Sequence, residues 1–448
     1  MGVRRVRALP PALSAHGDPV APRGSADRRF NLHGVSEVYR TLSGGGAGDG
    51  PAGLMSTSHR CDVLVIGGGP AGLIAAREVA GRDPGLDVLL VERDRAIGSP
   101  VRCGEGVGSA GLSEFIDPAG ASWVSRRITR VIFRAPGGRE VRVADGDVGY
   151  ILDRARFEPA LAAEAGRLGV DIRVGTEATG ITRSSRGWTI ALRGPGGPRE
   201  ITARLVICAD GVEGMAGRWA GLDTRVPARD MESCAQYVVS AIEFDPDAIY
   251  LHFGQSVAPG GYAWVFPKGG ATANVGLGIV ALRAEPGRTA RDYLDRYLAA
   301  YFPTGVTTGY TVGGVIVHPT IRRTVTDALM VCGDAAHMIN PLSGGGIVNA
   351  MKAGRLAAHV AVDALRAGDC SAARLERYHA QWMALLGDDH VRFHKLKDTL
   401  ARFDDAFLDG LAATVHDIPL PERTLRRIFV AALTRHPTLL PVVVKYFV

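Results

Sequence analysis

Gly67, Gly69 and Gly72 stand in the spacing GxGxxG, and Glu92 follows twenty residues after the last of them. Residues of these types at this spacing can hold a dinucleotide. Gly67 permits a tight turn, Gly69 lets a pyrophosphate approach the main chain, and Gly72 lets a helix pack closely on a strand. The start of that helix offers unpaired N–H groups and a partial positive charge to the phosphates. An acid at position 92 can accept hydrogen bonds from ribose hydroxyls. A second constellation lies far along the chain. It is Gly333-Asp334 followed by Asn340-Pro341-Leu342-Ser343-Gly344-Gly345-Gly346, which opens another helix at Ile347. Asp334 can accept from a ribityl or ribose hydroxyl. The glycine-lined helix start favours negative charge, such as the pyrimidine edge of a reduced flavin. Two such turns about 270 residues apart suit an extended dinucleotide that threads a domain, as FAD does.

Three more groups could do chemistry. Gly98-Ser99-Pro100-Val101-Arg102-Cys103-Gly104-Glu105-Gly106-Val107-Gly108 is a loop by composition, and its glycines imply close approach of main chain to a ligand. Cys103 is read as a flavin contact, with an incidental thiol in a turn as the alternative. Arg154 falls in the first turn of a helix that Asp153 can cap, where the macrodipole disfavours a cation. A cation there implies an anionic partner, and the cofactor pyrophosphate fits. In Gly261–Lys268, Tyr262, Trp264 and Phe266 alternate, so all three face one side of a strand. Core packing and a binding wall explain them equally well.

The elements that must position these groups are legible as pattern. Val63–Ile66, a helix from Leu73 to Ala80, and Val88–Val91 form a βαβ start. Residues 129–150 read as short strands around Pro136-Gly137-Gly138. The helix after Asp153 has the inner face Phe157, Leu161, Ala165 and Leu168. The strand Asp171–Val174 delivers Gly175-Thr176-Glu177-Ala178 to the carboxyl edge of the sheet, where ligands collect. Strand-like runs follow at Trp188–Leu192, Leu205–Cys208 and Leu329–Cys332, and a helix runs from Ile347 to about Leu365. The expected organisation is α/β: a FAD-binding Rossmann-like domain over 59–236, with inserted strands near 120–150, resuming at 321–371. Between them lies an antiparallel β domain over 237–320, and residues 372–448 are helical. Residues 1–58 show no apolar periodicity. They are either an over-extended start, with the chain proper beginning at Met55, or a disordered, transit-like extension.

Composition narrows the function. The chain has 448 residues, 46% of them hydrophobic, and a formal charge of +6. Its basic residues are scattered and not interleaved with aromatics, which argues against nucleic-acid binding. The six cysteines are widely spaced without a CxxC pair, so buried thiols in a reducing cytosol are expected rather than disulfides or a metal site. No run of 18 apolar residues appears, so no transmembrane helix is expected. Ile428–Leu433 and Leu439–Val444, with Arg423, Arg426, Arg427, Arg435 and Lys445 among them, read either as a helical cap or as a dock on the inner face of the membrane.

Taken together these residues resemble the geranylgeranyl reductase family of flavoproteins, on the fold of the para-hydroxybenzoate hydroxylase group. The match rests on Gly67–Gly72, on Pro100-Val101-Arg102-Cys103-Gly104-Glu105-Gly106, on Tyr262-Ala263-Trp264-Val265-Phe266-Pro267 with Val275-Gly276-Leu277-Gly278, and on Gly333-Asp334 with Ser343–Gly346. The cysteine loop looks closest to archaeal digeranylgeranylglycerophospholipid reductases. The resemblance implies FAD contacts at Ala71, Glu92, Cys103, Gly104, Gly106, Arg154, Ala178, Asp334, Gly346 and Ile347. It implies saturation of isolated double bonds in geranylgeranyl lipids or diphosphates by hydride from reduced FAD plus a proton. Tyr262, Trp264 and Phe266 would then form a wall beside the flavin. The proton source stays open among Cys103, Glu105, Tyr262 and water. The electron donor stays open among NADPH, ferredoxin and a deazaflavin. Rival activities are an aromatic monooxygenase or halogenase of the same fold, and a non-catalytic flavin-bound prenyl-lipid carrier.

Overall fold

The computed structural model describes residues 59–423 and, beyond them, Arg427, Ala431, Thr434 and Arg435. Residues 1–58 and the apolar C-terminal segments, with the expectations attached to them, lie outside the described residues.

Val63, Leu64, Val65 and Val88–Val91 are almost wholly buried. Burial on both faces is what strands inside a parallel sheet require. β1 (His59–Ile66) pairs in parallel with β2 (Val88–Val91) on one side and with β9 (Gly197–Cys208) on the other. β6 (Asp171–Arg173) extends the sheet beyond β2, and β16 (Leu329–Val331) extends it beyond β9. β7 (Glu177–Ser184) and β8 (Gly187–Gly194) join as an antiparallel hairpin on β9, and β15 (Val325–Thr326) closes the other edge. Two helices cross in close contact against this sheet: α1 (Pro70–Arg82) and α4 (Ile347–Arg366). A methyl group at Gly354 of α4 would lie 2.2 Å from the Ala71 carbonyl oxygen of α1, so the helices meet backbone to backbone.

The second sheet is nearly all antiparallel, in the order β14-β10-β13-β12-β11-β4-β5-β3. Its strands are β3 (Gly106–Gly108), β4 (Val124–Arg134), β5 (Glu140–Leu152), β10 (Met231–Ser240), β11 (Ala248–Phe253), β12 (Tyr262–Gly269), β13 (Thr272–Val280) and β14 (Val306–Ile316). One face packs against α3 (Ala290–Tyr301), burying Val239, Val265, Val275, Leu277, Leu294 and Tyr297. A Thr289–Asp292 capping box starts α3. The other face looks toward the first sheet's loops and carries the site.

α2 (Arg154–Arg167) covers the first sheet beside α1. The C-terminal helices are α5 (Ala372–Trp382), α6 (Asp388–Leu400) and α7 (Asp405–His416). Tyr378 and Trp382 of α5 are wholly buried, and the Tyr378 hydroxyl donates to the Val331 carbonyl at 3.0 Å. α6 is fastened by a buried acid. Asp230 Oδ1 accepts from His394 Nε2 at 2.9 Å and from Lys397 Nζ at 3.1 Å. Burial alone would raise the Asp230 carboxyl, but His394 and Lys397 hold it down at about 2.

Several expectations need correction. The strands near 120–150, expected as an insertion in the FAD-binding domain, belong to the second sheet. They form β4 and β5, long strands of the second sheet, because β4 pairs with β11. The later block of strands in the second sheet also begins earlier than 237, at Met231. Asp153 stands at the N-cap of α2, but its side chain makes no capping bond and turns to Arg156 at 3.3 Å. Phe157, Leu161 and Ala165 are buried as expected, whereas Leu168 lies past the helix end and is 45% exposed. All six cysteines are free: Cys61, Cys208 and Cys332 are buried, while Cys103, Cys234 and Cys370 are half-buried. No helix among the described residues is long and apolar enough to cross a membrane.

The contact at Gly354 yields a test. Helix propensity alone favours alanine over glycine by about 1 kcal/mol. The methyl group would instead force α1 and α4 apart, and such overpacking costs about 1–3 kcal/mol. Gly354→Ala should therefore lower the urea midpoint. A stabilised variant would mean that the helices are free to separate there.

Candidate active site

The two uncapped helix starts come together. Gly69 caps α1 with no side-chain acceptor and no acid in the first turn, and a methyl group on it would meet nothing within 4 Å. Space is open in front of those N–H groups. Gly67 holds φ +109°, and a methyl on Gly72 would lie 2.0 Å from the Gly67 carbonyl oxygen, so both glycines are sterically required. Glu92 sits at the end of β2 and accepts from the Gly68 N–H at 2.6 Å and the Asp94 N–H at 2.8 Å. The Thr176 N–H donates to the Glu92 carbonyl at 2.7 Å, which brings the start of β7, and Ala178 with it, to the same edge. Gly346 caps α4, again with no side-chain acceptor and no acid in the first turn before or after Ile347. A methyl on Gly346 would stand 3.4 Å from Asp334 Oδ1, and one on Gly333 would stand 3.0 Å from Ala71 Cβ. Burial pushes the Asp334 carboxyl up, and the Arg154 charge partly offsets this. Two open helix starts, glycine clearance and two acids fit an extended dinucleotide such as FAD.

Glu105 anchors the Cys103 loop, with Gln236 and Asn274 bonded to its carbonyls. Glu105 is 5% exposed and has a left-handed φ of +72°. Its Oε1 accepts from the Arg154 N–H at 2.9 Å; its Oε2 accepts from Lys268 Nζ at 2.6 Å and Asn274 Nδ2 at 2.8 Å. Lys268 also donates to the Leu152 carbonyl at 2.6 Å. The Glu105 N–H donates to Cys103 Sγ at 3.2 Å, which fixes the thiol. Gln236 Nε2 donates to the Cys103 carbonyl at 3.1 Å while its Oε1 accepts from Trp264 Nε1 at 2.9 Å. A hydrogen-bonded chain therefore runs from the indole to the loop.

The aromatic wall is not core. Ala263 and Val265 point into the buried face of β12, while Tyr262, Trp264 and Phe266 are only half-buried on the other face. Their rings run on from Phe253 with centroid separations of 5.7, 6.0 and 6.2 Å. Pairing register sets what flanks them. Tyr262 stands opposite Gly278, Trp264 opposite Gly276 and Phe266 opposite Asn274. Across β13, Gly278 faces Cys234, and Gly276 faces Gln236. The face is thus a trench with a floor of glycines, aromatic on one side and polar on the other. A methyl at Gly276 would lie 2.5 Å from Trp264 Cζ2, so glycine is what lets the indole lie down. The Cys103 loop roofs the trench: methyls at Gly104 and Gly106 would stand 3.0 and 3.1 Å from Phe266 Cε2. At the other end the Tyr262 hydroxyl donates to the Ser343 carbonyl at 2.5 Å.

The structure therefore brings the expected residues to one place. Arg154 differs in its partner: its guanidinium engages the buried Glu158 on its own helix, through Nε at 2.9 Å. Burial alone would lower the Arg154 guanidinium, but Glu158 and Cys103 hold it above its ordinary value. Sequence reasoning missed Glu158, Gln236, Lys268 and Asn274. The i, i+4 spacing of Arg154 and Glu158 was the available signal for the first. The alternation of β10 and β13 marks which residues share a face, but only strand pairing shows that Gln236 and Asn274 face the loop.

Comparisons with known proteins agree with this geometry. Residues 230–315 match the family model described as the geranylgeranyl reductase catalytic domain, and residues 53–116 match the Thi4 family model. Digeranylgeranylglycerophospholipid reductase of Methanosphaerula palustris is 43% identical over 85% of this chain and 96% of its own length. That of Methanoculleus marisnigri is 42% identical over the same shares. The chain belongs to the geranylgeranyl reductase family. A solved geranylgeranyl bacteriochlorophyll reductase-like protein from Thermoplasma acidophilum superposes with a TM-score of 0.81, at 32% identity, over 87% of this chain and 100% of its own. A p-nitrophenol 4-monooxygenase from Pseudomonas putida shares the fold at 17% identity and a TM-score of 0.66, over 84% of this chain and 98% of its own.

Glu105 is a joint of the structure and not a free acid. Glu105→Ala should strand Lys268 and lower stability by about 3 kcal/mol, the order expected when one partner of a buried ion pair is removed. Urea denaturation, beside turnover per flavin-loaded molecule, separates the roles. Intact stability with lost turnover would instead make Glu105 the proton source.

Proposed function

We propose that this protein saturates the isolated C=C bonds of geranylgeranyl chains carried on a glycerophospholipid, with FAD as its cofactor. The observation that carries the reading is the trench: a half-exposed aromatic wall roofed by the loop that also carries Cys103. When bound and reduced, FAD supplies a hydride. The α1 and α4 starts would hold its phosphates and its pyrimidine edge, and Glu92 and Asp334 its hydroxyls. The phospholipid as prenyl carrier is supported by the curated relatives. The electron donor is an external reductant of the nicotinamide, ferredoxin or deazaflavin class.

The residues of the trench suit this chemistry. An unactivated alkene accepts hydride poorly, and protonation develops positive charge at its tertiary carbon. The faces of Tyr262, Trp264 and Phe266 can stabilise such charge by about 1–2 kcal/mol where water is excluded. The same rings offer apolar surface along which a prenyl chain can lie. A monooxygenase or halogenase reading rests on fold alone.

Reduced protein incubated with digeranylgeranylglycerophospholipid should give products heavier by two hydrogens per bond reduced, read by mass spectrometry. Oxygen uptake coupled to cofactor oxidation, with no saturated lipid, would favour the monooxygenase reading instead.

The wall itself has a sharper test. Trp264→Leu keeps apolar volume but removes the ring, and Trp264→Phe keeps a ring but removes the hydrogen bond to Gln236. If the ring stabilises a cationic transition state, Trp264→Leu should slow single-turnover flavin reoxidation by about tenfold with lipid affinity little changed. Trp264→Phe should retain most of the rate. Equal losses in both would assign the effect to the Gln236 bond and the Cys103 loop.

A further inference from the structure

The reduction needs a proton as well as a hydride, and none of the acids considered from sequence is well placed to give one. Glu105 is engaged by three donors. The Tyr262 hydroxyl donates to Ser343, and burial raises it further above its ordinary value. Cys103 Sγ accepts a main-chain N–H.

A different acid lies on the trench face. By alternation along β10, Glu232 shares a side with Cys234 and Gln236. Its side chain leans over the glycine floor. A methyl at Gly278 would stand 3.0 Å from Glu232 Oε2, and one at Gly261 would stand 3.7 Å from it. Gly278 is the residue opposite Tyr262, so the carboxyl sits at the Tyr262 end of the aromatic wall. Glu232 is 9% exposed, and its carboxyl makes no hydrogen bond to any described residue. A buried carboxyl without a partner is costly unless it serves the fold or a ligand. Among the described residues only the Lys397 charge acts on it, and Asp230 already holds that ammonium, so the carboxyl is left free to meet a ligand.

We propose that Glu232 is the acid that protonates the substrate double bond, delivering its proton across the Gly278 floor to the alkene carbon that does not receive hydride. The step balances. The Glu232 O–H bond breaks and a C–H bond forms at one alkene carbon. The hydride, with both electrons, comes to the other carbon from the reduced flavin. The products are a saturated bond, oxidised flavin and a Glu232 carboxylate, which a solvent proton restores. The assignment rests on the reductase reading above.

The surroundings support a neutral carboxyl. Burial pushes Glu232 up to about 7, with Lys397 of α6 acting weakly against this. The Lys397 ammonium is already held by Asp230, at 3.1 Å. The other titratable neighbours are Cys234 on the same strand and Tyr262 on β12, both held protonated by burial, and Cys103 in the loop, whose Sγ accepts the Glu105 N–H. Burial and the Glu232 charge raise the Cys234 thiol. The sign follows: the acid is protonated below pH 7 and ionised above it, so proton delivery weakens as pH rises through about 7.

The test uses the flavin-loaded protein, reduced with dithionite and mixed with digeranylgeranylglycerophospholipid in detergent micelles. Glu232→Gln keeps the shape and removes the proton. It should bind FAD and lipid as the wild type does, and its flavin should be reoxidised about 100-fold more slowly or worse. Glu232→Asp should recover part of the rate. The wild-type rate should fall above about pH 7, and that limb should vanish in Glu232→Gln. Infrared difference spectra should show a protonated carboxyl below pH 7 that Glu232→Gln lacks. A wild-type rate in Glu232→Gln, or an alkaline limb that survives in it, overturns the assignment. If the wild type itself transfers nothing to the lipid, the reductase reading falls. The infrared arm then decides Glu232 alone, because a carboxyl ionised below pH 7 overturns its role as an acid.

Discussion

The Glu105 carboxylate gathers three donors from three separate elements: the first N–H of α2, Lys268 at the end of β12 and Asn274 on β13. Two of those elements belong to the second sheet, and the third covers the first. Everything at the site depends on this joint. It holds a non-glycine residue at φ +72°, a conformation that costs about 1–3 kcal/mol unless its surroundings enforce it. Charge-assisted hydrogen bonds of about 1.5–3 kcal/mol each are enough to enforce it. With Glu105 fixed, Cys103 is fixed two residues before it, and Gly104 and Gly106 are pressed on Phe266. Without it, the loop that carries the thiol would keep only its bonds to Gln236 and Asn274 and the β3 pairing to hold it over the aromatic strand.

The second constraint is register. A strand shows its two faces alternately, so a one-residue slip of β12 against β13 would send Tyr262, Trp264 and Phe266 into the core and bring Ala263 and Val265 out. The glycines of β13 make the correct register legible in three dimensions. Gly276 has room for the indole only if Trp264 stands directly opposite, and Gly278 leaves the room that the Glu232 carboxyl uses. The trench is therefore not carved out of the sheet. It is the absence of side chains along one strand, bounded by large ones on the neighbouring two.

Much of this was legible in the residues themselves. The Gly67–Gly72 fingerprint, Glu92, Asp334 and the Gly346 helix start are local patterns, and the structure places them together because a βαβ unit leaves little choice. The alternation of Tyr262, Trp264 and Phe266 fixed that they share a face, but not which face, since period two looks the same from both sides of a sheet. What stayed hidden depends on pairing between segments far apart. The place of β4 and β5 in the second sheet is one such case, because nothing local in them names β11 as a partner. Glu232 draws no notice in the sequence, because only the pairing of β10 with β13 sets its carboxyl over Gly278. Arg154 was read as seeking an anion, and its nearest one is Glu158, a turn further along.

The order in which the first sheet is assembled has a consequence for how the protein is made. β1 lies beside β9, β9 lies beside β16, and the Gly67 turn closes on Ala209 while Ala71 abuts Gly333 and Gly354. The fingerprint near the start of the described chain is therefore unfinished until α4, almost 300 residues later, has been made. A nascent chain on the ribosome exposes the apolar β1 strand while the whole second sheet is still to come. Domains generally fold as units during synthesis, but this one is interrupted, so its first half must wait for its second. Of the two glycine-lined helix starts, the one at Gly346 is made only after the whole second sheet, so the pair is complete late in the chain.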